Sequence, residues 1–182
     1  TGLVGSVYQM LNHGISTGAL FFLVGMLYDR RHTRLISEFG GLKSVIPWYT
    51  AVFLMISLSS IAVPGFNGFV GEFLTLIGAF TSPFLNDPWY AVIGATGVIF
   101  AAVYLLWMFQ PVMFGSNENP ENHHLRDLTK MEYWQLVPLV ILMIWIGVAP
   151  RTFMDYSEKA IEQVRGGPGI LLAVFLHAIG IA

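Results

Sequence analysis

The chain has 182 residues, of which 55% are apolar and 11% charged, and its mean hydropathy is +0.65. Soluble domains carry about 25% charged residues, so this composition excludes a water-soluble globule and predicts an all-α, multi-pass transmembrane helix bundle. A net charge of −2 gives no basic field that would attract nucleic acid. The lack of cysteine excludes disulfides, cysteine-ligated zinc and iron–sulfur clusters.

Four segments of low charge predict membrane spans. A spanning helix needs about 20 predominantly apolar residues. Three of the segments contain no Asp, Glu, Lys or Arg, and the second segment in chain order contains only Glu72. The predicted spans are 4–27, 48–82, 89–112 and 133–150.

The second segment, 48–82, is too long for one straight span. As a continuous helix it would reach roughly 50 Å, against a hydrocarbon core of ~30 Å. Its middle contains Pro64, Gly65 and Gly68, which interrupt helical hydrogen bonding. We therefore expect one crossing made of two half-helices, broken at 64–68, and a hairpin of two short, tilted spans is the alternative. Broken helices often mark ion or substrate sites in transporters.

The remaining segments predict the orientation of the spans and the nature of the C-terminal region. Residues 29–43 hold four basic residues against two acidic ones, so the positive-inside rule places this loop in the cytoplasm. Residues 151–165 alternate between an apolar and a charged face and predict an amphipathic helix on the membrane or on a neighbour. In the tail 166–182, a glycine- and proline-rich stretch at 166–169 ends this helix. The apolar part that follows, 170–182, is too short to span comfortably, so we expect it to be interfacial or packed on a partner.

Glu72 is the strongest candidate for a functional residue. A carboxylate within an apolar span costs about 2.5–3.5 kcal/mol or more and is usually functional. We place it in the first turn of a half-helix that begins near Phe69, where free backbone N–H groups favour an anion. Thr75 lies one turn further and is expected to hydrogen-bond this carboxyl. The favoured interpretation is a proton- or ion-handling role, and a structural carboxylate paired to a basic residue of another helix is the alternative.

A polar stripe on the first span indicates a second part of the site. Gln9, His13, Ser16 and Thr17 fall, together with Ser6, on an arc of about 100° around the helix. Lipid satisfies none of these groups, so the stripe must face protein or water. Histidine titrates near physiological pH, and we interpret His13 as a proton relay. Polar packing between helices is the alternative.

Polar residues also flank the predicted break. Ser60 and Asn67 stand on either side of Pro64, with Ser57 and Ser59 nearby. We expect one of these side chains to satisfy carbonyls that the proline leaves free, and the group could also hold water that leads to the acidic residue. The sequence contains no cluster of metal ligands, no phosphate loop and no dinucleotide-binding glycine motif, so we expect neither a metal nor a bound cofactor in this chain.

Three stretches carry a resemblance to a known family: Tyr8-Gln9-Met10-Leu11-Asn12-His13-Gly14, Arg31-His32-Thr33-Arg34 followed by Gly40-Gly41-Leu42, and Pro64-Gly65-Phe66-Asn67-Gly68-Phe69-Val70-Gly71-Glu72-Phe73. In order and spacing they resemble the C-terminal part of the antiporter-like M subunit, or chain 4, of NADH:quinone oxidoreductase (complex I), over roughly residues 1–165. Sister subunits and Mrp-type antiporter subunits typically carry lysine at the position of Glu72, so glutamate favours the M type. The chain begins at Thr1 without methionine, and we expect it to be a fragment of that subunit.

The resemblance implies a fourteen-helix antiporter-like fold, of which this chain would hold the last four crossings. It implies that 48–82 is the second broken helix and that 151–165 is an amphipathic helix on the outer face. Glu72 would act on the exit side of a proton channel, and His13 would belong to a polar axis along the membrane arm. The supporting polar residues would be Gln9, Ser16, Thr17, Ser60, Asn67 and Thr75.

The implied function is proton translocation, coupled to quinone reduction in partner subunits, by a multi-pass protein of the bacterial inner membrane. NADH, FMN, iron–sulfur clusters and quinone would be bound by partner subunits, and this chain would be part of an enzyme without holding a redox centre. Its partners would be the neighbouring antiporter-like subunits and the lipid bilayer. A Na⁺/H⁺ antiporter of the Mrp type, a membrane hydrogenase subunit of the same fold, and a structural subunit without a proton role are the alternatives.

Overall fold

Six α-helices make up the described part of the chain, which comprises residues 1–83, 85 and 87–166 of a computed structural model. The helices are α1 (Gly2–Arg31), α2 (Pro47–Ser60), α3 (Asn67–Phe80), α4 (Trp89–Phe114), α5 (Lys130–Val148) and α6 (Arg151–Gly166). Short 3₁₀ turns lie in the loops, and no β-strand occurs within these residues. The predicted all-α fold is confirmed.

Three of these helices, α1, α4 and α5, are long and apolar enough to cross a membrane. α2 and α3 have 14 residues each. A helix of that length measures ~21 Å, so neither half alone matches a hydrocarbon core of ~30 Å. The two follow each other in the chain with only residues 61–66 between them. They are the two halves of the interrupted helix that the sequence predicts.

α2 ends in a Schellman motif, a pair of backbone hydrogen bonds that closes a helix C-terminus. The N–H of Ala62 donates to the carbonyl of Ser59, and the N–H of Val63 donates to that of Leu58. Ala62 adopts a left-handed conformation with φ 56°, which is uncommon for a residue other than glycine. Pro64 follows, lacks a backbone N–H, and prevents the helix from continuing.

The break therefore begins and ends earlier than the predicted 64–68. Gly65 lies within it and has φ 99°, a conformation that favours glycine. Gly68 belongs to the first turn of α3 instead, so its assignment to the break is wrong. It has a different use there: a Cβ atom at Gly68 would collide with the carbonyl oxygen of Ser59. Glycine at this position lets the two half-helices approach each other.

Glycines also let α1 and α3 pack backbone against backbone. A Cβ atom at Gly5 would lie 2.7 Å from the amide nitrogen of Thr75. Gly2 and Gly78 meet in the same manner one turn away, where a Cβ on Gly78 would collide with the backbone of Gly2. Small residues at such contacts are typical of membrane helix pairs, since they allow the backbones to approach closely. They set the register in which α1 faces α3.

α5 passes close to the break and helps to enclose it. A Cβ atom at Gly147 would lie 2.6 Å from the Cα of Phe66. In the same region the hydroxyl of Tyr8 donates to the carbonyl of Ile146 at 3.0 Å, which joins α1 to α5. Non-helical backbone at membrane depth is tolerated only where protein or water surrounds it. α1 and α5 supply that protein environment.

The loop before α5 closes the end of the bundle where α1 ends and α2 begins. The guanidinium of Arg30 contacts both carboxylate oxygens of Glu132, at 2.7 and 2.8 Å. The carboxylate of Asp127 accepts hydrogen bonds from the N–H groups of Trp48 and Tyr49, each at 2.9 Å. Those N–H groups have no partner within α2, so Asp127 caps this half-helix from a distant part of the chain.

α6 follows α5 directly and is amphipathic. Phe153 and Ile161 are partly buried, whereas Asp155 and Glu158 are exposed. Apart from its first residue, the predicted tail 166–182 lies outside the described residues.

The α1–α3 contact predicts that Gly5→Ala destabilises the protein. The added methyl group meets backbone atoms of α3, and overpacking of this kind typically costs about 1–3 kcal/mol. Gly25→Ala, also in α1, is the matched control, because no atom lies within 4 Å of a Cβ atom at Gly25. We expect the first variant to lower the thermal unfolding midpoint of the detergent-solubilised protein and the second to leave it unchanged or raise it. Equal midpoints would contradict the close packing.

Candidate functional site

Glu72 lies on α3, partly buried, with its carboxyl against α1. Its Oε1 accepts a hydrogen bond from Nε2 of Gln9 at 3.2 Å. α3 begins at Asn67, directly after the extended residue Phe66, and not near Phe69. Glu72 is therefore in the second turn, and the predicted first-turn position is wrong. The free N–H groups of the helix N-terminus lie one turn away from the carboxyl.

Contrary to the prediction, the hydroxyl of Thr75 does not donate to the Glu72 carboxyl. Its hydroxyl donates to the carbonyl of Gly71, one turn back, at 2.8 Å, as threonine often does inside a helix. The hydrogen-bonding partner of the carboxyl is the Gln9 amide instead. Thr75 nevertheless lines, with Gln9 and Glu72, a mainly apolar cavity of about 360 Å³ between α1, α3 and α4.

Two buried asparagines join α1 to the start of α3. Nδ2 of Asn12 donates to the carbonyl of Asn67 at 2.7 Å, and Nδ2 of Asn67 donates to the carbonyl of Asn12 at 3.3 Å. The hydroxyl of Ser59, in the last turn of α2, donates to Oδ1 of Asn67 and contacts the hydroxyl of Ser16 at 2.9 Å. All four residues are at most 4% exposed. These bonds tie both half-helices to α1.

His13 is exposed on α1, about 100° around the helix from the buried Asn12. Its ring is hydrogen-bonded to the hydroxyl of Thr17, 3.2 Å from Nδ1. His13 and Glu72 both line a second, polar cavity of about 180 Å³. One water takes up about 30 Å³ in the liquid, so this cavity has room for several. The other polar side chains that line it are Gln9, Asn12, Ser16, Thr17, Ser59, Ser60 and Tyr104.

The serines beside the break do not have the predicted partners. The hydroxyls of Ser57 and Ser60 are buried and have no hydrogen-bond partner in the described part of the chain. The carbonyls of Ser57, Leu58 and Ser59 accept instead from backbone N–H groups, those of Ile61, Val63 and Ala62. Ser59 and Asn67 donate to groups outside the carbonyls of α2, so the expectation that one of Ser57, Ser59, Ser60 and Asn67 satisfies those carbonyls is wrong, although Ser60 does line the polar cavity.

Three residues of the site were not singled out as candidates from the sequence. Ser59 was noted only as a neighbour of the break, and Tyr104 lies in an apolar helix without any local signal. Asn12 lies about 40° beyond the edge of the predicted polar stripe when residues are placed at 100° steps. A wider arc would have included it. Within residues 1–83, 85 and 87–166, no three His, Asp or Glu side chains are grouped so that they could hold a metal ion.

Comparison with known proteins accounts for this arrangement. A family model described as NADH:quinone oxidoreductase/Mrp antiporter, TM, matches residues 1–101, which is more than half of the chain. The chain belongs to this family of membrane subunits. The match covers α1, the broken helix and the first half of α4, and thus all of the polar cavity except Tyr104 and Leu105.

Individual relatives agree with the family match. NADH-quinone oxidoreductase subunit M is 38% identical over 163 residues in Rickettsia conorii and 40% identical over 163 residues in Rhodobacter capsulatus. NADH-ubiquinone oxidoreductase chain 4 of Arabidopsis thaliana is 36% identical over 163 residues. Each alignment covers 90% of this chain but only 31–32% of the relative. The chain thus spans about a third of the length of these family members.

A solved structure supports the same family. A chain of respiratory complex I from Thermus thermophilus with bound NADH superimposes with a TM-score of 0.74 and 33% sequence identity. The match covers 90% of this chain and 34% of that chain. The resemblance to the M subunit, or chain 4, is therefore confirmed, as is the antiporter-like membrane fold.

Asn67→Ala is expected to destabilise the joint between the half-helices. The substitution removes the donor to the Asn12 carbonyl and the acceptor for the Ser59 hydroxyl, both fully buried. Each lost bond costs about 1 kcal/mol, and each stranded partner adds about 1–3 kcal/mol. Asn117→Ala is the control, because Oδ1 of Asn117 has no partner in the described chain. Thermal unfolding in detergent should show a clearly lower midpoint for Asn67→Ala than for the control. Similar midpoints would show that the hydrogen bonds of Asn67 do not stabilise the contact between α1 and the two half-helices.

Proposed function

We propose that this chain forms the exit part of a proton path in a membrane-bound NADH:quinone oxidoreductase, with Glu72 and His13 as the proton-carrying groups. The polar cavity that both residues line, beside the break between α2 and α3, is the observation that supports this most strongly. Both side chains can gain and lose protons, and an intramembrane carboxylate next to a water-filled space is typical of proton relays.

A proton would move through the polar cavity between His13, which is exposed on α1, and the partly buried Glu72. His13 offers two ring nitrogens, which lie 3.2 Å (Nδ1) and 3.4 Å (Nε2) from the Thr17 hydroxyl, and the nitrogen that is not bonded to this hydroxyl would exchange a proton with water in the cavity. Glu72 also lines that cavity, and Gln9 donates to one of its carboxylate oxygens. A basic group that approaches or leaves Glu72 would favour its ionised or its neutral form, and so would drive uptake or release.

The partners follow from this role. We propose that NADH, FMN, iron–sulfur clusters and quinone are bound by other subunits of the complex and that this chain holds no redox centre. Quinone reduction in those subunits would be coupled to proton movement through changes of conformation or charge along the membrane arm. The neighbouring antiporter-like subunits and the lipid of a bacterial inner membrane would cover the exposed apolar faces of the helices.

Sodium–proton exchange is the second candidate function. The description of the matching family includes Mrp antiporters as well as NADH:quinone oxidoreductases. An independent antiporter would transport without NADH, driven by a sodium gradient alone. Sodium-driven pH changes in vesicles without NADH would favour this candidate over the first.

Glu72→Gln in the whole protein is the direct test of the proton role. The amide keeps the size of the side chain but cannot carry a proton, so we expect NADH-driven acidification of inverted membrane vesicles to fall by at least about tenfold. Electron transfer from NADH to an artificial acceptor should persist, because that reaction needs only the partner subunits. Glu118→Gln is the matched control, since Glu118 is exposed in the loop after α4. Vesicles with this variant should acidify normally.

Assembly of the complex is checked in the same membranes. Normal acidification in Glu72→Gln would contradict the proposed role and leave Glu72 as a structural carboxylate. Loss of acidification together with loss of the assembled complex would point to the same structural role, in which case His13→Ala is used as the second variant. A pumping defect in an assembled His13→Ala complex would then support the proton path.

A further inference from the structure

The amide of Gln9 stands between the Glu72 carboxyl and the helix break. Its Nε2 donates to Oε1 of Glu72 at 3.2 Å, and its Oε1 accepts from Nδ2 of Asn12 at 3.5 Å. The same Nδ2 donates to the carbonyl of Asn67, the first residue of α3. A continuous row of polar groups thus runs from the carboxyl in the second turn of α3, by way of α1, to the backbone at the start of α3.

Gly71 provides the space in which the Gln9 amide lies. A Cβ atom at this position would lie 2.9 Å from the Cα of Gln9 and would collide with its Oε1. The residue immediately before the carboxylate therefore has to lack a side chain if the amide is to reach Glu72. This close contact places the amide by packing as well as by hydrogen bonding.

The direction of both amides follows from the ends of the row. The carbonyl of Asn67 can only accept, so Asn12 must turn its NH₂ group toward it. The side-chain oxygen of Gln9 then accepts from that NH₂ group, and the NH₂ group of Gln9 donates to Glu72. Oε1 of Glu72 consequently acts as an acceptor in the ionised and in the neutral form. When the Glu72 carboxyl is neutral, its proton is therefore bonded to Oε2.

We propose that Gln9 is a positioning residue for Glu72: it holds Oε1, leaves Oε2 for proton exchange and, through Asn12, ties the orientation of the carboxyl to the helix break at Asn67. This inference rests on the proposed proton role of Glu72. A shift of α3 against α1 at the break alters the Asn12–Asn67 contact and with it the direction of the carboxyl. Misplacement of a reacting group by about 1 Å can cost about a hundredfold in rate.

Infrared difference spectroscopy of the whole protein in membranes tests the contact directly. The C=O stretch of neutral Glu72 is assigned by its disappearance in Glu72→Gln. A hydrogen bond to a carbonyl lowers its stretching frequency, so Gln9→Met, which keeps the length but removes the donor, should move the band to higher frequency. Gly71→Ala keeps the Gln9 side chain, but its methyl group would meet both the Oε1 and the Cα of Gln9, so it displaces the amide from Glu72 and should produce the same shift. Gly25→Ala, in open space on α1, should produce none.

The coupling to the break and to transport is tested with the same membranes. Asn67→Ala alters no group that contacts the carboxyl and keeps the backbone carbonyl that accepts from Asn12. It removes the amide that donates to the Asn12 carbonyl, which should loosen the start of α3 against α1 and so also move the Glu72 band. We expect Gln9→Met to lower NADH-driven acidification roughly tenfold while the rate with an artificial electron acceptor stays unchanged. A purely structural role for Gln9 would lower the amount of complex and leave the band position as it is.

The outcomes separate this inference from the function on which it rests. A Glu72 band with unchanged frequency in both Gln9→Met and Gly71→Ala overturns the positioning role, even where Glu72→Gln abolishes pumping. Full acidification in Gln9→Met, with pumping lost in Glu72→Gln, overturns it as well. If Glu72→Gln pumps normally, the proton role fails and the band shift alone decides whether Gln9 orients the carboxyl. Where Gln9→Met does not assemble, Gly71→Ala supplies the answer.

Discussion

Backbone groups inside a bilayer must find their hydrogen-bond partners within the protein, because lipid offers none. This constraint acts most strongly between α2 and α3, where the helix is interrupted. The Schellman motif pairs the carbonyls of Leu58 and Ser59 at the end of α2, and Asn12 and Asn67 exchange hydrogen bonds that tie α1 to the start of α3. The polar groups that make the break tolerable also line the cavity beside Glu72. The stability of the break and the chemistry of the site therefore depend on the same side chains.

The existence of the break could be predicted from the sequence, but its position could not. A segment of low charge that is too long for one span, with Pro64 in its middle, requires an interruption. The helix ends before the proline because Ala62 takes the left-handed conformation that usually marks glycine, and alanine gives no local signal for it. Gly68 misleads in the opposite way: glycine here suggests a break, but the residue lies in α3 and allows the two half-helices to approach each other closely.

Glu72 and His13 could be recognised as candidates because an acid and an imidazole are costly in apolar helices. The partner of the carboxyl could not be predicted in the same way. Gln9 belongs to the predicted stripe, but its contact with Glu72 depends on the register between α1 and α3. That register is set by close contacts such as the one between Gly5 and Thr75, and glycine alone does not say which residue it will face. Local patterns find polar residues, whereas tertiary packing decides which of them meet.

The cap on α2 has a consequence for how the protein is made. The first free N–H groups of this half-helix, at Trp48 and Tyr49, are bonded to Asp127, which lies 79 and 78 residues further along the chain. During synthesis α2 must enter the membrane with these donors turned toward water at the surface, and they acquire their final partner only after α4 and the following loop have been made. The N-terminal cap of α2 is thus among the last contacts of the bundle to form.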